Sequence, residues 1–338
     1  MKLFATTILV FIFNFTFAQA TFKVSNFSKD YYGKIFISDT SEVFSQGWVA
    51  IYDTKSQKQI IKVEAEELAL SLHDGKALAN IKQVPYGEQS SIMYEDYNFD
   101  GIKDFAIEDG QNSCYHGPSF RIYLGSKSGF KFSPEFTALA QEYCGMFQVD
   151  YKQKRISVMT KSGCCWHQFS EFIVENNKPK VVKIIEENQM GYPFNNYSEQ
   201  NWDGKKMVLT SKNTINLDEE GIKTILSFTV DKNQKQVVLF NINDRTLNYV
   251  LIDKNDEVEF SYPINTAYEN PDFNFDRKNN TVTFKNKDVV YTIYDNNNTI
   301  GITIVTGGKT YNWIGNSTTK KGKLTDITTT QLDNVVVN

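Results

Sequence analysis

The stretches FTVDKNQKQVVLF at 228–240 and YVLIDKNDEVEFS at 249–261 decide the fold class. In each, apolar and polar residues alternate on both sides of a polar knot containing Asp, Asn and Lys. Alternation with a period of two gives a strand one apolar face. Asp and Asn supply the turn, because their short side chains bond nearby amides and tolerate left-handed backbone. Both stretches therefore read as β-hairpins. The same unit recurs in FQVDYKQKRISVM at 147–159, NWDGKKMVLTS at 201–211, FNFDRKNNTVTFK at 273–285 and YTIYDNNNTIGITIV at 291–305. Only KVEAEELALSLHDG at 62–75 leaves helix and strand both open.

The chain is thus read as all-β. Many short strands in 338 residues need an architecture that hides sheet edges, which favours a degenerate β-propeller-like fold, with a large β-sandwich or two β domains as alternatives. Turn spacing is irregular and no blade motif repeats. A coarse division gives a signal peptide at 1–20, an N-terminal β segment at 21–85, a calcium-loop and cysteine region at 86–190, and a hairpin-rich C-terminal β region at 191–338.

With 36 Lys and Arg against 40 Asp and Glu, the net charge of −4 offers no basic groove for nucleic acid or an anionic membrane. Residues 1–20, MKLFATTILVFIFNFTFAQA, place Lys2 before an apolar run that ends in an A-x-A pattern. This is the layout of a secretory signal peptide, interrupted by Asn14 and Thr16 and so poorly suited to remain as an anchor. Export to the periplasm or beyond is expected, with no membrane span after cleavage. Four clustered cysteines, Cys114, Cys144, Cys164 and Cys165, then read as disulfides. A direct bridge between adjacent Cys164 and Cys165 strains the intervening peptide, so each is expected to pair with a more distant partner. A zinc site that adds His116 and His167 is the competing reading.

DYNFDGIKD at 96–104 is the sharpest motif. Counting from Asp96, oxygen-bearing side chains fall at positions one, three, five and nine: Asp96, Asn98, Asp100 and Asp104. Gly101 permits the turn, and the Ile102 carbonyl is placed to point inward. Such a loop suits Ca2+, which takes six to eight oxygen ligands. Position twelve is Ile107 instead of the Glu of an EF-hand, and the flanks alternate as strands, so a hairpin calcium site is expected.

The segment VPYGEQSSIMYEDYNFDGIKDFAIEDG at 84–110 resembles calcium-bearing propeller repeats of the integrin-like and FG-GAP type. The order that follows is YLGSKSGFKF, then the 147–159 hairpin, then SGCCWHQFSEFIV. Together these resemble a family of exported bacterial β-propeller-like proteins. That family includes immunity proteins against peptidoglycan-degrading effectors that are similar to periplasmic lysozyme inhibitors. The resemblance covers about 84–190. It implies calcium ligation at Asp96, Asn98, Asp100, Ile102 and Asp104, and a lysozyme-like or other cell-wall hydrolase as partner. Ser128 and Gly129 before Phe130-Lys131-Phe132 match an inhibitor loop only in part, with Phe where an enzyme-facing Tyr would stand.

No nucleophile elbow, P-loop, nucleotide-binding glycine run or C-x-x-C motif occurs, and only three histidines are present. No catalytic residue is assigned, and the chain is read as a non-enzyme. Tyr115, His116, Trp166 and His167 form a candidate binding patch, brought together if Cys114 pairs with Cys164 or Cys165. Tyr86, Tyr115, Tyr192 and Tyr197 are candidate loop anchors for a glycan or a protein cleft. The functional expectation is an exported calcium-stabilised binding protein, an inhibitor or immunity protein against a peptidoglycan-degrading enzyme. A carbohydrate-binding or structural envelope protein is the alternative, and a hydrolase with unrecognised carboxylates the third reading.

Overall fold

The computed structural model describes residues 19–263, 271–296, 299–329 and 331–338. The stretch 1–18, which carries most of the export signal, lies outside them. The described residues are built almost wholly from antiparallel strands. β1 (Ala20–Val24), β2 (Tyr31–Ile37), β3 (Ser45–Asp53) and β4 (Gln59–Leu68) form one up-and-down sheet. The ambiguous 62–75 stretch therefore enters a strand, with Val63 and Ala65 buried and Glu64 and Glu66 turned outward. A second sheet comprises β5 (Ile92–Glu95), β6 (Asp104–Ser113), β7 (Gly117–Ser126) and β8 (Gly129–Phe132), followed by the short helix α1 (Pro134–Leu139). The third runs β9 (Gln148–Asp150), β10 (Arg155–Ser162), β11 (Trp166–Glu175), β12 (Lys178–Asn188), β13 (Phe194–Trp202) and β14 (Met207–Ile215) in sequence order.

β15 (Ile222–Thr229), β16 (Gln236–Ile242), β17 (Thr246–Ile252) and β18 (Val258–Tyr262) make the fourth sheet. The fifth contains β19 (Phe273–Asp276), β20 (Thr281–Asn286), β21 (Val289–Asn296), β22 (Thr299–Thr306) and β23 (Lys309–Ile314). The C-terminal segment returns to cover open edges: β24 (Lys321–Gly322) pairs with β15, and β25 (Val335–Val337) pairs in parallel with β19. All six stretches read as hairpins contain two paired strands. The turn chemistry is also as the residues dictate. Asp253 Oδ1 accepts from the amides of Asn255 and Glu257 at 2.7 and 2.9 Å, and Asn243 and Asp244 both take φ 53°, the backbone of a tight hairpin turn.

The strands form several discrete sheets rather than a closed propeller, and of the alternatives weighed the multi-domain β arrangement is the one observed. The chain divides into two compact units. One covers the described residues up to Ile184 together with Gln200–Val208, and the other Ile185–Glu199 with Leu209–Asn338. The first unit has a core on β1–β4 closed by Ile92, Phe105 and Ile107, and another around Tyr97, Phe120, Phe136, Phe147 and Ile156. In the second unit Phe284 lies within an aromatic cluster, 4.7 to 5.3 Å from the rings of Tyr249, Tyr262, Phe273 and Tyr291. No helix among the described residues is long and apolar enough to cross a membrane.

Candidate functional site

The calcium expectation is overturned by where the loop's oxygens point. Asp104 is fully buried at the start of β6, and its two carboxylate oxygens accept from the amides of Tyr97 and Gly125, each at 2.7 Å. Asp96 accepts from the amides of Asp100 and Gly101 at 3.2 and 2.9 Å. Asp100 accepts from the Ile102 amide at 2.8 Å and from Asn98 Nδ2 at 3.0 Å, while the same Asn98 nitrogen reaches Asn177 at 3.1 Å. Among the described residues no group of three or more His, Cys, Asp or Glu is placed to hold a metal ion. Asp96, Asn98, Asp100, Ile102 and Asp104 therefore do not form a Ca2+ site. The carboxylates that a cation would neutralise are spent on backbone amides of the loop and of Gly125, with Phe99 and Gly101 taking the left-handed backbone the turn needs at φ 62° and 86°.

The cysteines also depart from expectation in part. Cys114 bridges Cys144, whereas Cys164 and Cys165 bridge each other at the tip of the β10–β11 hairpin. The pairing of these two with distant partners is thus corrected. Residues beyond the turn separate into facing strands, and at the tip each sulfur bonds its neighbour's. With every cysteine oxidised, the zinc reading has no thiolate to use.

The candidate binding residues are rearranged by the same connections. Cys114–His116 forms a single tight turn with Tyr115 and His116 at φ 53° and 59°. Those successive left-handed residues send their side chains apart. His116 Nε2 meets Glu67 Oε2 at 3.0 Å and its ring packs edge-on to Phe44. Tyr115 instead turns to the β10–β11 tip, where its hydroxyl accepts from the Gly163 amide.

Register then defines a face. On β10, Ser157, Met159 and Lys161 lie opposite Glu171, Phe169 and His167 of β11, on the side away from buried Ile156, Val158 and Ser170. His167 stacks with Phe169 at 6.5 Å. Trp166, opposite Ser162, falls on the alternate face. The structure therefore joins Tyr115 and His167 to one surface and places Trp166 on the alternate face, while His116 turns toward Glu67 and Phe44 and still lines the hollow beside Tyr115.

Tyr86 completes this surface. Its hydroxyl lies 3.6 Å from Met159 Sδ and 3.9 Å from Cys144 Sγ. The ammonium of Lys161 sits over two rings, 4.6 Å from the Tyr86 centroid and 4.9 Å from that of Tyr115. Tyr86, Tyr115 and Phe169 remain 55%, 59% and 42% exposed. Two hollows open beside them. One of about 310 Å³ is lined by Pro85, Cys144, Met146, Met159 and Phe169, and the other, of about 260 Å³, by Tyr86, Gln89, Gln111, Cys114 and Tyr115. Lys161, Met159 and Phe169 were missed from sequence, although the period of two through SVMTKS and WHQFSE placed them on one side.

Two further expectations are clarified. Phe130 of the SGFKF loop packs inward against Tyr31 and Phe105, with ring centroids 5.4 and 4.7 Å away, so it is a core residue rather than a projecting anchor. Tyr192 donates to the Glu220 carbonyl at 2.6 Å, and Tyr197 to Glu199 at 2.8 Å. Among the acids of β6, Glu108 is fully buried and strongly displaced. Burial pushes it up to about 8 against the opposing hydrogen bonds of Ser91, the Ala69 amide and Gln111.

No family profile matches the chain, and no curated protein matches it. Among solved structures, a type IV secretion system related protein from Xanthomonas is 18% identical over 56% of this chain and 92% of its own, with a TM-score of 0.44. A prolyl endopeptidase is 8% identical at a TM-score of 0.25, and the chain, with 90% of its length aligned, spans 42% of that enzyme. TolB from Acinetobacter baumannii is 9% identical over 88% of this chain and 80% of its own, with a TM-score of 0.16. At TM-scores below 0.5, none of the three supports an inference about function.

Proposed function

We propose that the mature chain acts outside the cytoplasm as a binding protein, and that the Tyr86, Tyr115, Lys161 and Phe169 face is its recognition surface. The observation that carries this reading is the fixing of exposed aromatic side chains by covalent and hydrogen-bonded links. The Cys114–Cys144 bridge holds one end of the Tyr115 turn, and the Gly163 amide holds the Tyr115 hydroxyl. Rigid tyrosines lose little freedom on association, which lowers its ordering cost. The signal-like sequence at 1–20 and the oxidised cysteines support export.

The resemblance of 84–190 to an exported family that includes immunity proteins favours a cell-wall hydrolase as partner, blocked by steric insertion of this rim, with no reaction performed by the chain itself. Immobilised mature protein should retain a lysozyme-like enzyme from periplasmic lysate in one-to-one ratio, and the double substitution Tyr86→Ala with Phe169→Ala should lower that retention at least tenfold. Retention unchanged by the double substitution, or no hydrolase retained at all, rejects the reading.

A further inference from the structure

Lys161 supplies an observation that the protein-partner reading does not use. Its ammonium lies between two tyrosine rings and makes no ion pair with a carboxylate among the described residues, in a chain whose acids outnumber its bases. The two phenol hydroxyls beside it have protons to offer. The Tyr86 hydroxyl contacts only the weak acceptors Met159 Sδ and Cys144 Sγ. The Tyr115 hydroxyl accepts from Gly163 and keeps its own proton to give. Gln89 and Gln111 in the adjoining hollow are already engaged, Gln89 with the Met146 amide and Gln111 with Glu108. An ammonium without a carboxylate partner, the Tyr115 hydroxyl proton and a Tyr86 proton held only by sulfur stand beside two ring walls, and together they suit a ligand with an anionic acceptor and a flat apolar face.

We propose that the hollow of about 260 Å³ lined by Tyr86 and Tyr115 binds a pyranose bearing a carboxylate, with the sugar ring against tyrosine and the carboxylate reaching past the lining to Lys161, which lies over both rings. Drug-sized ligands occupy clefts of about 300–1,000 Å³, so this space suits a single ring. A pyranose presents axial C–H bonds on one face for the aromatic wall and hydroxyls at its edge for the phenols. An ammonium on a partly exposed face discriminates for charge by a modest factor that salt screens. The proposal rests on this face being a binding surface and is independent of the hydrolase partner.

The test is titration of the mature protein, followed by tyrosine ring shifts in NMR, with two sugar pairs that differ by a carboxylate: glucuronic acid against glucose, and N-acetylmuramic acid against N-acetylglucosamine. Each acid should bind at least fivefold tighter than its neutral counterpart at low salt, and the difference should shrink at high salt. Lys161→Met should abolish the difference. Tyr115→Asn, which keeps a residue tolerant of left-handed backbone, should weaken all four sugars. Lactate, a carboxylate without a ring, should bind no tighter than the neutral sugars. Equal binding within both pairs, lactate matching the acidic sugars, discrimination surviving in Lys161→Met, or no binding by any sugar overturns the proposal. Sugar binding lost while hydrolase retention persists rejects this site assignment alone, and the reverse result rejects the partner alone.

Discussion

Asp104 shows how a single carboxylate can carry a motif without carrying its function. From sequence it is the last ligand of a calcium loop. In the fold it closes two strands by accepting from the amides of Tyr97 and Gly125 at full burial. Removing it with Asp104→Ala leaves two buried donors unpaired, each costing about 1–3 kcal/mol, and a thermal melt should show the loss. The unsubstituted protein should give superimposable melts with calcium and with chelator, because no ligand set among the described residues links the metal to folding.

Glu108 gives a second prediction at this scale. Its folded-state pKa of about 8 lies above the ordinary 4.5, so the folded chain holds a proton that the unfolded chain releases. Stability attached to this group is complete below about pH 4.5 and is lost as pH rises through about 8. Asp104, pushed up to about 7 mainly by burial, adds loss of the same sign at lower pH. Melting temperature should therefore fall between pH 5 and 9, and Glu108→Gln should flatten the upper part of that fall by several degrees, at about 2–4 °C per kcal/mol for a domain of this size.

At the level of elements, the two disulfides are unequal. Cys114–Cys144 closes a separation of 30 residues, and the chain-entropy relation assigns such a loop about 3–4 kcal/mol. Cys164–Cys165 has a separation of 1 and restrains almost no unfolded chain. The double substitution Cys114→Ser with Cys144→Ser should lower the melting temperature far more than Cys164→Ser with Cys165→Ser. The second pair should instead disturb the Tyr115 position through Gly163, read as a change in the tyrosine NMR shifts at unchanged stability. The β10–β11 face follows the same logic of connection: a period of two arranged Met159, Lys161, His167 and Phe169, but Tyr86 and Tyr115 reach it from loops far along the chain.

Across the whole molecule, the strand content and all six hairpins were legible because their causes are local. Alternation sets the strand faces, and an Asp or Asn bonds amides two to four residues away. Even the ambiguous 62–75 stretch gave a strand over its first part, up to Leu68, once β3 offered a partner ladder. The inward turn of Asp104 depends on Gly125, the separation of Tyr115 from His116 on Glu67 and Gly163, and the cysteine partners on which loops meet. The sequence by itself determined an all-β chain of hairpins with oxidisable cysteines. Only the tertiary structure decided which oxygens were already spent on amides and which side chains surrounded Lys161, because those are long-range contacts that no local period encodes.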